Sequence, residues 1–183
     1  ELETKVTAVL LGHGVEFLAD KLIVYGADEV LMMDEEWLND FNDHIYGEVM
    51  VQLINEYKPE IVLVGATSKG RSMAPHISSS LKTGLTADCT GLNIDKESKL
   101  LVQTRPAFGG NLMAEIICPN SRPQMATVRP KVFKPMEPDY KRHGKINRIQ
   151  KHPVEGFVRL IRNIDNTEGI GLSDAEIIVS VGR

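Results

Sequence analysis

The chain has 183 residues, of which 42% are hydrophobic and 25% are charged, and its formal net charge is −4 at pH 7. This length is enough for one full domain with a buried core and part of a second, and no apolar run is long enough to span a membrane. Basic residues concentrate between Lys131 and Arg162, but the domain is acidic overall and few aromatics are interleaved with them, which excludes a typical nucleic-acid-binding face.

The cysteines and histidines form no recognisable metal or catalytic pattern in the sequence. Cys89 and Cys118 are far apart and lack a CxxC motif, which indicates a reducing compartment and no zinc. No histidine is placed at ligand spacing with a cysteine or carboxylate, and no serine lies in a GxSxG motif. The sequence therefore predicts no metal site and no nucleophilic catalysis. The histidines are His13, His44, His76, His143 and His152.

Strands and helices are predicted to alternate along the first half of the chain. A strand at residues 6–11 precedes a short helix that ends near Gly26. A second strand at residues 30–33 precedes a helix that Asp34 can cap and that ends at Pro59. With a third strand and helix following, this alternation predicts a parallel α/β sheet with flanking helices and right-handed crossovers.

The third strand and helix enclose a candidate ligand-binding turn. The apolar run at residues 61–64 is typical of a strand covered on both faces. The turn from Thr67 to Arg71, hereafter the 67–71 turn, presents hydroxyls, amides and two cations where a helix begins, which favours an anion. The turn matches neither a P-loop nor a GxGxxG motif, and Ser68 or Ser72 as a helix cap explains the hydroxyls without a ligand. Both interpretations of the turn remain open.

After Gly84 the pattern predicts four short strands joined by short turns, and therefore an antiparallel segment appended to the parallel sheet. These strands are residues 91–95, 99–104, 112–118 and 124–128. Residues 134–153 contain prolines and many charges and are predicted to form a surface excursion. The polar, glycine-containing residues 164–173 predict an inter-domain linker, and residues 177–179 begin another buried strand.

Several ordered motifs resemble the N-terminal domain of the alpha subunit of electron-transfer flavoproteins. They are VLVGATSKGRSMAPHISSSLKTGLTADCTGL (62–92), TRPAFGGNLMAEI (104–116), RPQMATVRP (122–130), GADEVLMMD (26–34) and IIVSVGR (177–183). The likeness spans essentially the whole chain. It implies an adenine-nucleotide alpha-hydrolase-like fold, a homologous beta subunit as partner, and a second alpha-subunit domain that holds FAD.

The resemblance also implies how the chain is divided. The family normally has a further strand and helix before the strand at residue 6, and these would lie upstream of Glu1. We therefore expect an interior portion of an alpha subunit. Residues 1–163 would form the base domain, residues 164–174 the linker, and residues 175–183 the first strand of an FAD-binding domain otherwise absent from the chain.

Two arginines are the candidate cofactor residues. Arg183 follows a predicted strand, at the carboxyl edge where α/β domains bind ligands, and the resemblance implies that the matching arginine contacts FAD. Arg105 precedes Phe108 and two adjacent glycines, which permit a tight turn. A hairpin turn or a subunit contact is favoured there over flavin contact. For Arg122 and Arg129, structural salt bridges are the first expectation.

By the resemblance, the protein is an electron carrier and not an enzyme. It would shuttle electrons from acyl-CoA or other dehydrogenases to an acceptor through FAD, with this portion as the scaffold that docks the beta subunit. A role within an electron-bifurcating complex is open, and a cytoplasmic location is preferred to the mitochondrial matrix. The alternatives are an autonomous nucleotide-binding domain that uses the 67–71 turn and an interaction module without a ligand.

Overall fold

The computed structural model describes residues 2, 4–158, 160–162, 175 and 177–182. The helices are α1 (Ala19–Val24), α2 (Asp43–Tyr57) and α3 (Ser68–Ser80). The strands are β1 (Thr7–Gly12), β2 (Glu29–Asp34), β3 (Ile61–Gly65), β4 (Leu85–Cys89), β5 (Gly91–Ile94), β6 (Leu101–Ala107), β7 (Leu112–Ile116), β8 (Gln124–Val128) and β9 (Lys145–Arg148). Short 3-10 turns lie at Glu16–Leu18, Glu36–Leu38 and Phe108–Gly110.

The strands form two three-stranded parallel sheets and one three-stranded antiparallel sheet. The strand orders are β1-β2-β9, β3-β8-β4 and β5-β6-β7. Helices that follow parallel strands provide the crossovers. The predicted α/β class, with parallel pairing, flanking helices and an appended antiparallel segment, is therefore confirmed.

The predicted pairing of residues 124–128 is wrong. These residues form β8, which does not extend the antiparallel segment but lies between β3 and β4 and is parallel to both. All but the last residue of β8 are buried. A central strand of a parallel sheet that is covered on both faces buries the side chains of both faces, which explains why consecutive residues of β8 are buried. The antiparallel segment is thus an insertion between β4 and β8.

Two strands were missed in the sequence. β4 precedes the antiparallel segment, and β9 lies within the stretch that was predicted to be a surface excursion. β9 pairs in parallel with β2, and Ile149 continues the pairing by donating its backbone N–H to Met32. β9 is an edge strand and most of its residues are exposed. Its polar composition therefore resembles that of a loop, which is why the sequence did not indicate a strand.

The main apolar core lies around α2. One face of this helix contacts α3 and the β3-β8-β4 sheet, and the adjacent face contacts β2 and the Glu36–Leu38 turn. The fully buried members of these two clusters include Met33, Leu38, Val49, Ile77 and Met125. The broad apolar face of α2 therefore joins the two parallel sheets into one packed unit.

Asp34 does not cap the helix that follows it, contrary to the prediction. Its carboxylate accepts hydrogen bonds from the backbone N–H groups of Gly14, Val15 and Glu16, at 2.6, 2.9 and 3.1 Å. Desolvation opposes ionisation of Asp34, but these donors outweigh it and hold its pKa below the ordinary value. Asn42 caps α2 instead, accepting from the N–H groups of its first turn.

No helix within the described residues is long and apolar enough to cross a membrane. The predicted linker at residues 164–174 lies outside the described residues. Ile177, Ile178 and Val179 are exposed, and within the described chain they pair with no strand. The predicted domain division, including a strand at these positions, stays a prediction.

Candidate functional site

Polar groups from three parallel strands meet at the carboxyl edge of the β3-β8-β4 sheet. The 67–71 turn follows β3, Asp88 lies in β4, and Arg129 follows β8. Arg129 binds both carboxylate oxygens of Asp88, with Nε–Oδ1 at 3.1 Å and Nη2–Oδ2 at 2.7 Å. This is the bidentate geometry in which arginine binds carboxylates most strongly. The expected structural salt bridge of Arg129 is confirmed.

The charges of three arginines act on Asp88, and one of them, Arg129, is bound to it. The hydrogen bonds from Arg129 are the main reason that the pKa of Asp88 lies below its usual value; desolvation opposes them, and the charges of Arg129, Arg71 and Arg105 add to the lowering. The backbone of Asp88 is left-handed, with φ of 61°, and its N–H donates to Thr127 Oγ1 at 2.8 Å. Asp88 therefore pairs with Arg129, and of the two cations of the 67–71 turn it interacts electrostatically with Arg71.

Asp88→Asn is expected to lower stability near neutral pH and to have no effect in strong acid. A depressed folded-state pKa stabilises the native state above the ordinary carboxyl pKa, and this stabilisation is lost as the pH falls through the folded value. Asparagine tolerates the left-handed backbone, so the substitution tests charge and not strain. Urea unfolding of Asp88→Asn, Arg129→Gln and the double variant at both pH values measures this. If the two single effects simply add near neutral pH, the pair has no coupling.

The 67–71 turn is packed as a helix start. Thr67 is the N-cap of α3, and its Oγ1 accepts from the N–H of Gly70 at 3.2 Å. The predicted caps, Ser68 and Ser72, are therefore wrong; Ser72 Oγ donates to Asp43 on α2. A Cβ at position 70 would lie 1.9 Å from the carbonyl oxygen of Gly65, so the helix starts directly against the end of β3. One of the N–H groups that a phosphate would need is already used.

Arg105 lies in β6, at the antiparallel segment. It is half-buried, and its Nε donates to the carbonyl oxygen of Pro106 at 3.4 Å. The tip of the hairpin follows, where Gly109 and Gly110 have φ of 70° and 93° and Phe108 has φ of 47°. A left-handed backbone is unusual for an aromatic residue, and the Phe108 side chain is 82% exposed. The expected hairpin turn after Arg105 is confirmed.

The hairpin presents uncovered apolar side chains on both faces of β7. Leu112 and Ile116 lie on one face and Met113 on the other, because successive side chains of a strand alternate, and the exposed Ile117 follows the end of the strand. With Phe108 these residues form what we call the hairpin surface, and each is exposed in the described structure. On its outer edge β7 has no partner among the described strands. An apolar edge strand of this kind is typical of an interaction site.

The remaining predicted residues have different outcomes. Arg183 lies outside the described residues, so its predicted contact with FAD stays a prediction. The salt bridge expected for Arg122 is confirmed, because its Nε binds Glu60 at 2.5 Å. Cys89 is buried at the end of β4, where desolvation raises its pKa.

Sequence reasoning missed two groupings. The hairpin surface was signalled by the apolar residues of LMAEII (112–117), which occupy both faces of a predicted strand. The statement that no histidine has ligand spacing is also wrong. His44 and Glu48 are one turn apart on α2, and His76 of α3 lies beside them.

Among the described residues, two places could be considered for FAD: the carboxyl edge of the β3-β8-β4 sheet and a cavity beside α2. At the carboxyl edge of the β3-β8-β4 sheet, Thr67 accepts from one N–H group that a pyrophosphate could use, and Asp88 pairs with Arg129. A cavity of about 650 Å³ lies elsewhere, beside α2, and its lining includes the carboxylate of Glu35 and the imidazole ring of His152. The lining residues are Glu35, Gln52, Gln150, Lys151, His152, Pro153 and Val154.

A family model and several curated relatives match this chain, and they carry related names. A family model described as "Electron transfer flavoprotein domain" matches residues 1–154. The electron transfer flavoprotein subunit alpha of Thermoanaerobacterium thermosaccharolyticum is 49% identical over 97% of this chain and 54% of its own length. The corresponding subunit of Megasphaera elsdenii is 46% identical over 98% of this chain and 54% of its own length.

A third relative has a different name. It is the lactate dehydrogenase (NAD(+),ferredoxin) subunit LctC of Acetobacterium woodii, which is 44% identical over 97% of this chain and 43% of its own length. The chain thus spans about half the length of the curated relatives it matches.

Proposed function

Because the chain belongs to the electron transfer flavoprotein family, we propose that it is the base domain of an alpha subunit that docks a beta subunit and supports electron transfer through FAD. The observation that carries the docking proposal is the hairpin surface. Its exposed apolar residues and the free edge of β7 offer both side-chain and backbone contacts to a second polypeptide.

The beta subunit is the occupant we propose for this surface. The relatives named as alpha subunits are parts of multi-subunit proteins by their names, which supports a partner chain. Phe108 at the hairpin tip is suited to act as an anchor, because exposed aromatics that become buried contribute much of the binding energy of interfaces. Arg105 lies at the base of the same hairpin and would contribute a polar contact at its rim.

Sedimentation analysis of the chain mixed with the beta subunit of the same organism tests this proposal. A one-to-one complex is expected. A mixture in which both chains sediment as separate species at micromolar concentration would contradict it.

For FAD, we propose that the contacts come from residues beyond those described, among them Arg183. FAD supplies the one- and two-electron redox chemistry when bound. The guanidinium of an arginine can bind phosphate oxygens bidentately or stack on a ring plane. The described residues would then act as scaffold: Asp88 and Arg129 hold the ends of β4 and β8 together and bind no cofactor.

In the complete flavin-loaded complex, Arg183→Ala is expected to weaken FAD retention by about tenfold or more, or to lower the flavin potential. A charge-assisted hydrogen bond to an anionic group is worth about 1.5–3 kcal/mol, which sets this scale. Equilibrium dialysis measures retention, and a spectroelectrochemical titration measures the potential. Arg162→Ala is a control of the same type, since Arg162 is exposed and belongs to the predicted base domain. Unchanged retention and potential would remove Arg183 from the cofactor residues.

We propose an electron carrier and not an enzyme, with acyl-CoA or other dehydrogenases as redox partners in the cytoplasm. The bacterial origin of the relatives supports this location. The relative named as a lactate dehydrogenase subunit supports a role beside a dehydrogenase, including a bifurcating one. The alternative of an autonomous nucleotide-binding domain has no specific support, because the side chain of Thr67 itself caps α3 and accepts from the N–H of Gly70.

A further inference from the structure

Two histidines and a glutamate lie together between α2 and α3, away from the hairpin surface. His44 and Glu48 are one turn apart on α2, and His76 extends from α3 toward them. The potential ligand atoms of all three residues lie within 4.8 Å of one another. His76 Nε2 is 3.0 Å from Glu48 Oε1, and the His44 and His76 rings are edge to face with centroids 5.3 Å apart.

The packing of the two helices places these side chains. Gly47 lies between His44 and Glu48, and a Cβ at that position would be 2.4 Å from Cδ2 of His76. The imidazole of His76 therefore occupies the space that any side chain at position 47 would fill. Ser72 Oγ ties the same end of α3 to α2 by donating to Asp43 Oδ2 at 2.5 Å. This contact also places a further carboxylate beside His44.

We propose that His44, Glu48 and His76 bind a divalent zinc ion that clips α2 to α3. Two imidazole nitrogens and one carboxylate oxygen are a ligand set that suits zinc, with water in the remaining position. Ligand atoms at zinc distances of about 2.0–2.2 Å in tetrahedral geometry lie roughly 3.3 Å apart. We expect small rotations of these partly exposed side chains to bring the ligand atoms from within 4.8 Å of one another to this spacing. The pair of His76 with Glu48 is already near this distance.

A simple ion pair explains only part of the arrangement. It accounts for His76 and Glu48 but not for His44, whose ring lies beside both His76 and Phe157, with a centroid distance of 4.6 Å to the phenyl ring. The carboxylate of Asp43 lies next to the cluster and adds negative charge there. Its Oδ1 accepts a hydrogen bond from the backbone N–H of His44 at 3.0 Å. A cation between the two helices would draw the two imidazoles and the carboxylate toward one point.

Zinc competition against a chromophoric chelator, with the full metal-free chain, tests the proposal. One zinc per chain is expected, and His44→Gln, Glu48→Gln and His76→Gln should each weaken binding by about tenfold or more. His143→Gln is the matched control, because His143 is exposed and outside the cluster. Zinc should raise the melting temperature of the parent chain and of the control but not of the three variants, since a ligand stabilises only the state that binds it.

A cobalt(II) spectrum identifies the ligands independently. Weak d–d bands without a thiolate charge-transfer band are expected, since the proposed ligands are nitrogen and oxygen. A thiolate band would assign the metal to Cys118 or Cys89 and overturn the proposal. So would the absence of zinc binding, or zinc binding that survives all three substitutions. Glu48→Gln keeps the size of the side chain and the helix intact, so this variant remains informative if a histidine substitution disturbs folding.

Discussion

Met113→Glu is expected to weaken assembly with the beta subunit by about a hundredfold, which corresponds to about 2.7 kcal/mol. Met113 is 58% exposed on β7, so a glutamate at this position is solvated in the free chain. In the proposed complex the same carboxylate would be buried against apolar groups without a cation, and desolvation of an unpaired charge is costly. Isothermal titration of the beta subunit into the folded variant measures the change.

Phe17→Glu is the matched control for this substitution. Phe17 is 76% exposed and belongs to the Glu16–Leu18 turn, which is not part of the hairpin surface. The control should bind the beta subunit with the affinity of the parent chain. If Met113→Glu assembles normally, or if Phe17→Glu is impaired to the same extent, the hairpin surface is not the docking site.

The parallel α/β class could be predicted because its signals are local. Residues 61–64 form an unbroken apolar run, and the apolar positions of α2 recur at helical spacing over fifteen residues. These patterns fix the type of each element. The helix caps were less predictable, since several hydroxyls compete near the start of α3 and the three-dimensional path alone selects Thr67.

The position of β8 could not be predicted from such signals. Its run QMATV has the length and composition of a strand, but whether it pairs with β7 or crosses to β3 depends on contacts distant in sequence. Its burial is the physical reason for the crossing, because β8 is covered by α2 and α3 through residues such as Met125. Short turns before a strand therefore do not require it to pair with the preceding strand.

The candidate sites depended even more on long-range pairing. Arg129 was recognisable as a structural arginine, but its partner Asp88 is 41 residues away and was not anticipated. The contact of His76 with Glu48 likewise joins two helices, over a separation of 28 residues. Only the spacing of His44 and Glu48 was visible in the sequence, as one helical turn.

Gly70→Ala is expected to destabilise the chain by about 2 kcal/mol. The new Cβ would lie 1.9 Å from the carbonyl oxygen of Gly65 and 3.0 Å from Cγ1 of Val64. The first of these is a backbone atom, so the clash is relieved only if α3 moves away from β3, which loosens the contacts of Ile77 with the core. Overpacking of this kind costs about 1–3 kcal/mol and occasionally more, while alanine regains up to about 1 kcal/mol of helix propensity.

Gly65→Ala separates this clash from a general effect of removing glycine at the same junction. A Cβ at position 65 would have Thr67 Cγ2 at 3.9 Å as its nearest neighbour, which is ordinary contact. Urea unfolding of both variants should show a loss for Gly70→Ala and a change within about 0.5 kcal/mol for Gly65→Ala. If Gly70→Ala were as stable as the parent chain, α3 would have room to move at its first turn, and the 67–71 turn could open to admit an anion at its unused N–H groups.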